Sequence, residues 1–187
     1  MKKIFILAAV TSFAASAAAA PVIYIHEGSG SGTLDGVAFD SSFTIRALAD
    51  TDNIVSFSGG LAVQHDSATI DIDGVGSFDF LIDTRTFVNN RVELIGFSRS
   101  DGGGTGGLDL FNGPFDPALG SYDLGAPFGP ILGDGELLQW ASTPVDTTGG
   151  VLFFDSDFTD ARFTAIPAPG TASLAIIAGL AAVRRRR

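Results

Sequence analysis

The feature that most constrains this chain is a recurring alternation of apolar and polar residues in short runs, each bounded by Gly, Asp, Ser or Pro. In "SFTIRAL" Phe43, Ile45 and Ala47 share one face. In "ATIDID" Ile70 and Ile72 oppose Asp71 and Asp73, and "SFDFLID" sets Phe78, Phe80 and Ile82 together. "RVELIGF" alternates Val92 and Leu94 with Glu93 and Ile95, and "ELLQWA", "GVLFFD" and "ARFTAI" follow. A period of two with β-branched and aromatic residues is the strand signal. Between the two ends of the chain, no stretch holds a helical i, i+3, i+4, i+7 pattern for three turns.

About nine or ten one-sided strands cannot bury their apolar faces in a single open sheet, so two packed sheets are the economical solution. The expected fold is all-β: an antiparallel β-sandwich, jelly-roll-like, flanked by an N-terminal signal helix and a short C-terminal hydrophobic helix. A β-helix would need a fixed repeat period, which these runs lack. The segment from Asp101 to Gly135 holds four of the eight prolines and eleven of the 24 glycines. Proline cannot donate to a ladder and glycine frays one, so the segment reads as a long loop or a set of edge pieces.

The ends read differently from the middle. "MKKIFILAAVTSFAASAAAA" has two lysines, an apolar run and small residues, the layout of a secretory signal peptide spanning residues 1–19. Proline at position 21 blocks a cut directly before it, so cleavage is expected after Ala19, with Ala17 and Ala19 as the small pair, or one residue earlier. The β-domain is assigned to residues 20–165 and the tail to residues 166–187.

Charge separates the same regions. Six of the eleven basic residues are Lys2, Lys3 and Arg184 to Arg187, which leaves five arginines in the middle against 21 acidic residues, a net charge of about −16. Such a surface repels phosphate backbones, so nucleic acid is excluded as a partner. With no cysteine, disulfides, thiolate catalysis and Cys-based zinc sites are excluded together. A domain of this size buries enough surface without cross-links.

Catalytic signals are lacking. His26 and His65 belong to no metal-ligand spacing, and no serine sits in a G-x-S-x-G elbow. "VQHDS" places His65, Asp66 and Ser67 in sequence, but neighbours in a strand point to opposite faces and do not make a triad. His65 reads as a surface or strand-end histidine. Eighteen of the 21 acids are Asp, mostly beside Gly, Ser or Thr, where Asp forms turns. No enzyme activity, catalytic residue, metal site or cofactor is assigned.

Calcium is the one ion the turns suggest. "DIDG" at Asp71–Gly74 opens like a calcium loop without the later ligands, "GGGTGGLDLF" places Asp109 one position late for a repeat-in-toxin motif, and "ADTDN" offers Asp50, Asp52 and Asn53. All three also read as solvated turns. Trp140, with Tyr24 and Tyr122, reads as core or as a sugar-stacking platform.

The tail "IPAPGTASLAIIAGLAAVRRRR" combines a proline-bracketed turn, a 14-residue apolar run from Gly170 to Val183 and four arginines. As a helix that run rises about 21 Å against a hydrocarbon core of about 30 Å, which suits a transient hold better than a permanent span. The arginines would keep the end cytoplasmic. The order of turn, short helix and terminal arginines behind a signal peptide resembles the PEP-CTERM sorting signal of exported bacterial proteins. The resemblance covers the last 22 residues, and the Gly- and Phe-rich body is similar in composition to the β-domains that precede that signal.

The resemblance implies export through the Sec machinery, transient anchoring in the inner membrane, and processing by an exosortase. It implies a final place at the cell surface or in the extracellular matrix, with extracellular polysaccharide and biofilm as the setting. Pro167, Ala168, Pro169 and Gly170 would be the recognition motif, with Arg184, Arg185, Arg186 and Arg187 as the basic end. The family's central Glu is Ala168 here, which fits either a variant subclass or a tail kept as a plain anchor. The body is then structural or adhesive, or alternatively a carbohydrate- or calcium-dependent binding module with the same delivery.

Overall fold

A computed structural model describes residues 21–100, 107–138, 140, 144–155 and 157–169 of the protein. The signal segment with Ala17 and Ala19, the apolar tail from Gly170 and Arg184 to Arg187 lie outside the described residues. Among those described, the fold is all-β and antiparallel, with 3-10 turns at Thr51–Asn53 and Pro117–Ser121 and no α-helix. No described helix is long and apolar enough to cross a membrane.

The organising element is a hairpin of two 14-residue strands, β1 (Pro21–Leu34) and β2 (Val37–Asp50), paired in unbroken register from Pro21↔Asp50 to Leu34↔Val37. Asp35 and Gly36 join them with φ of 48° and 81°. Both central residues of a two-residue hairpin turn need that left-handed backbone, which Asp-Gly supplies.

Two different strands share the other edge of β1. Its first half pairs with β13 (Asp157–Pro167), from Val22↔Pro167 to Glu27↔Arg162. Its second half pairs with β12 (Gly150–Phe154), which pairs with β11 (Val145–Thr147). On the far side β2 pairs with β5 (Ser67–Ile72) and β5 with β6 (Gly76–Asp79). A bridge between Phe80 and Thr147 then joins the two branches, with Leu81 N–H donating to Asp146 O and Thr148 N–H to Asp79 O. The second half of β1 with β2, β5, β6, β11 and β12 thus forms a closed ring, which leaves no strand edge there.

From β13 the sheet runs on through β10 (Phe128–Leu137), β9 (Gly107–Phe115), β8 (Leu94–Ser100), β7 (Thr84–Asn89) and β4 (Gly60–Gln64) to β3 (Ile54–Phe57). This arm curls until β7 and β8 lie over β1 and β2. The expected pair of separate sheets is therefore one continuous thirteen-stranded sheet whose parts face each other.

Two apolar clusters fill the fold. Phe43, Ile45, Ile70, Phe97, Phe111, Trp140 and Phe154 meet at the ring end. Tyr24, Val63, Val88, Ile95, Leu119 and Phe163 meet under the arm. Phe78, Phe80 and Ile82 pack together against the first cluster, as their alternation predicts, although the strand itself ends at Asp79. Strand β8 departs from its expected alternation: Val92 is exposed in a turn, while Leu94 through Ser98 are all buried. Its second face is covered by a small cluster of Ala62, Phe87 and Leu94.

Much of the Asp101–Gly135 segment is neither loop nor edge: its described residues contribute β9 and most of β10, both inside the sheet, joined by a connection over 116–127 that holds the second 3-10 turn. Glycine acts there as a crossing point. Gly113 has φ of 133°, and a Cβ on it would overlap the Cα of Gly135, so the two strands touch backbone to backbone. The prolines act as ladder gaps: Pro130 falls where the β10–β13 register shifts between Phe128 and Ile131.

Candidate functional site

Three adjacent strands present a surface that burial alone would not predict. On β10, Gly133 and Gly135 turn towards Pro114 and Ala161, so Leu132, Asp134 and Glu136 are left on the outer face. Directly opposite them on β13 stand Arg162, Asp160 and Phe158. With Phe115 from the end of β9 and Ser29 from β1, these strands line an open groove of about 850 Å³. Phe158 is 77 % exposed, Leu132 71 % and Phe115 53 %.

The polar part of the groove is one-signed. Asp134, Glu136 and Asp160 contribute three carboxylates, and none of the lining residues is basic. Asp134 and Asp160 are direct cross-strand partners, an arrangement that costs stability. The nearest cation in the register, Arg162, lies beside Glu27 with Nε 3.4 Å from its carboxylate. At the other wall the Ser29 N–H donates to Thr159 Oγ1 at 3.0 Å, and the Ser29 and Thr159 hydroxyls are also 3.0 Å apart.

The histidines lie inside the fold. His26 on β1 is fully buried and its Nε2 is 2.9 Å from Thr86 Oγ1 on β7. His65, just past β4, reaches the same hydroxyl through Nε2 at 3.0 Å and Thr84 Oγ1 through Nδ1 at 2.9 Å. The surface part of the expectation for His65 is thus overturned: the curl of the arm covers it, leaving it 9 % exposed beside a small pocket lined by Asp66 and Asp83.

Thr86 has one hydroxyl hydrogen, so it donates to one ring and accepts from the other. His26 Nδ1 has no partner among the described residues. A bare acceptor is tolerated better than a bare N–H, so we assign the proton of His26 to Nε2, which donates to Thr86; Thr86 then donates to His65 and His65 Nδ1–H to Thr84. Burial pushes His26 down to about 3. Burial, and secondarily the neighbouring His26, holds His65 well below its usual value. Both rings are neutral braces between the two parts of the sheet: His65 stacks on Phe97, while His26 meets Phe97 edge-on and Phe163 at a tilt.

The sugar platform of Trp140, Tyr24 and Tyr122 does not exist, because the closed curl takes all three into the core. Tyr24 and Tyr122 donate their hydroxyls to Leu124 O and Ala126 O.

Of the calcium turns, "DIDG" is a β-hairpin tip over a cavity of about 650 Å³, with Asp73 N–H donating to Ser42 O. Asp50 accepts the Asp52 N–H, and Asp109 accepts the Ser98 hydroxyl. Among the described residues no three His, Asp or Glu gather to hold a metal ion.

Of the tail motif, Pro167 is the last residue of β13, opposite Val22, and the Ala168 N–H donates to Pro21 O at 2.9 Å. Pro169 follows in a turn. No family model, curated protein or solved structure matches the chain.

Sequence reasoning did not find the groove. A signal was present: Phe158 in "DFTD" follows Asp157 and precedes Asp160 by two residues, and Phe115 in "PFDP" is next to Asp116, surroundings that a core strand does not favour.

Proposed function

We propose that this is an exported cell-surface or extracellular-matrix protein, delivered by a PEP-CTERM-like tail that an exosortase processes. The Sec machinery takes the signal segment, removed after Ala19, and the inner membrane holds the tail transiently. A jelly-roll-like sandwich is the finer description of the body, whose role is structural or adhesive and not enzymatic.

One observation supports the reading above others. The first described residue of the sheet, Pro21, accepts a hydrogen bond from Ala168, inside the Pro-Ala-Pro-Gly motif. Both sorting segments therefore attach at one point of a fold whose pairing ends at Pro167. Cuts after Ala19 and beyond Pro169 would remove both segments without breaking a strand pair. Mass spectrometry of the protein recovered from the surface of an exosortase-bearing Gram-negative host tests this. The expected product lacks residues 1–19 and Arg184 to Arg187; an intact Arg187 on exported protein overturns the processing.

The binding-module reading has its own support in the groove, where aromatic rings and carboxylates stand exposed together.

A further inference from the structure

We propose that the groove between Phe115 and Phe158 binds an oligosaccharide carrying protonated amino groups, a polymer of amino sugars. The inference rests on the reading of the body as adhesive and names the class of partner.

The exposed rings are the first argument. Nothing in the packing requires Phe158 to stand 77 % exposed or Phe115 53 % exposed, and the two rings serve one groove. A sugar ring has an apolar C–H face and a polar rim, so it stacks on such a side chain while its edge meets hydrogen-bonding groups. Ser29, Thr159 and the carboxylates of Asp134, Glu136 and Asp160 supply those groups. The volume of about 850 Å³ is within the range of sites for small ligands, about 300–1,000 Å³.

Charge then selects among sugars. The groove lining holds three carboxylates and no base, and Arg162 is already engaged with Glu27. A uronic-acid polymer is repelled. An ammonium placed between Asp134 and Asp160 removes the like-charge cost of that pair, and it gains further beside a phenyl face. A basic extended peptide meets the same charge but has no C–H ring face to lay on the phenyl groups. Along the groove β10 fills one edge of β13, and beside the other, where the β1 ladder has stopped at Glu27↔Arg162, the Ser29 N–H is already taken by the Thr159 hydroxyl.

The experiment is calorimetric titration of the full-length protein, below neutral pH, with four hexamers: glucosamine, N-acetylglucosamine, guluronate and lysine. The glucosamine hexamer is expected to bind at least roughly tenfold more tightly than the other three. Phe158→Ala and Asp160→Asn, both at exposed positions, are each expected to weaken it by roughly fivefold or more without lowering the melting temperature. Equal binding of the acetylated hexamer overturns the amine requirement, and preference for guluronate overturns the charge argument. Equal binding of hexalysine reduces the groove to a general polycation surface and overturns the sugar assignment. No binding of any hexamer, or full affinity in both variants, overturns the site. The delivery reading is judged separately, by the mass of the exported product.

Discussion

The two polar clusters of this protein invert the usual placement of residues. Inside, between β1 and β7, two histidines and two threonines form a hydrogen-bonded chain among phenylalanines. Outside, across β9, β10 and β13, phenylalanines stand in water among carboxylates. The inner chain is tolerated because nearly every polar atom in it has a partner, and it fixes how the arm sits over the hairpin. The outer groove has no such role in the fold, and its aspartate pair works against stability. A region that the fold needs and a region that the fold merely tolerates should respond oppositely to substitution.

Acid should separate them most strongly. An unfolded histidine titrates near 6.5, whereas His26 in the fold is pushed down to about 3 and His65 is also lowered. As pH falls, the unfolded chain takes up these protons first. The contribution of His26 is therefore full above about 6.5 and is lost between there and about 3, by about 1.4 kcal/mol per pH unit, or roughly 2 kcal/mol at pH 5, and His65 adds a loss in the same direction. Urea midpoints across this range measure the effect. Substituting His26→Leu should make the slope shallower; an unchanged slope would mean that this ring is not a group responsible.

Thr86→Val keeps the shape and removes the hydroxyl shared by both rings. Stranding two buried nitrogens should cost about 3 kcal/mol, read from the same unfolding curves. A loss below about 1 kcal/mol would show that the chain contributes little to holding the arm.

The outer region should give small effects, one of opposite sign. Asp160→Asn relieves the pair with Asp134 and should stabilise by about 0.5 kcal/mol, measurable as a higher melting temperature. Arg162→Gln loses an ion pair in which the side chains are 47 % and 33 % exposed, and should cost less than about 1 kcal/mol, falling further in high salt. If Asp160→Asn were as damaging as Thr86→Val, the groove would have to be counted as part of the fold.

The same contrast explains what could be read from the sequence. Strands with one buried face, such as "SFTIRAL" and "ATIDID", declare themselves by alternation. Strand β8 does not, because both its faces are covered, and β9 and β10 do not, because their glycines and prolines are crossing points and ladder gaps. The hairpin turn was available in "LDGV", two residues of the favoured type between two strands. The histidine chain was not legible at all: His26 and Thr86 lie 60 residues apart, and only the curl of the sheet brings them together. The groove was half legible, since phenylalanines next to an acid are visible in the sequence but their assembly depends on the register of β10 against β13.

The double pairing of β1 also sets an order of events. Its hairpin with β2 is local and can form as soon as both strands exist, but its other edge is filled by β12 and β13, the last two of the described strands. Until they arrive, the hairpin presents a long unpaired row of N–H and C=O groups, the kind of edge on which chains aggregate. Half of that waiting edge is "EGSGSGT", whose glycines and serines are poor templates for a stray strand. The composition that hides β1 from a reader of the sequence also hides it from other copies of the chain while it waits for its partners.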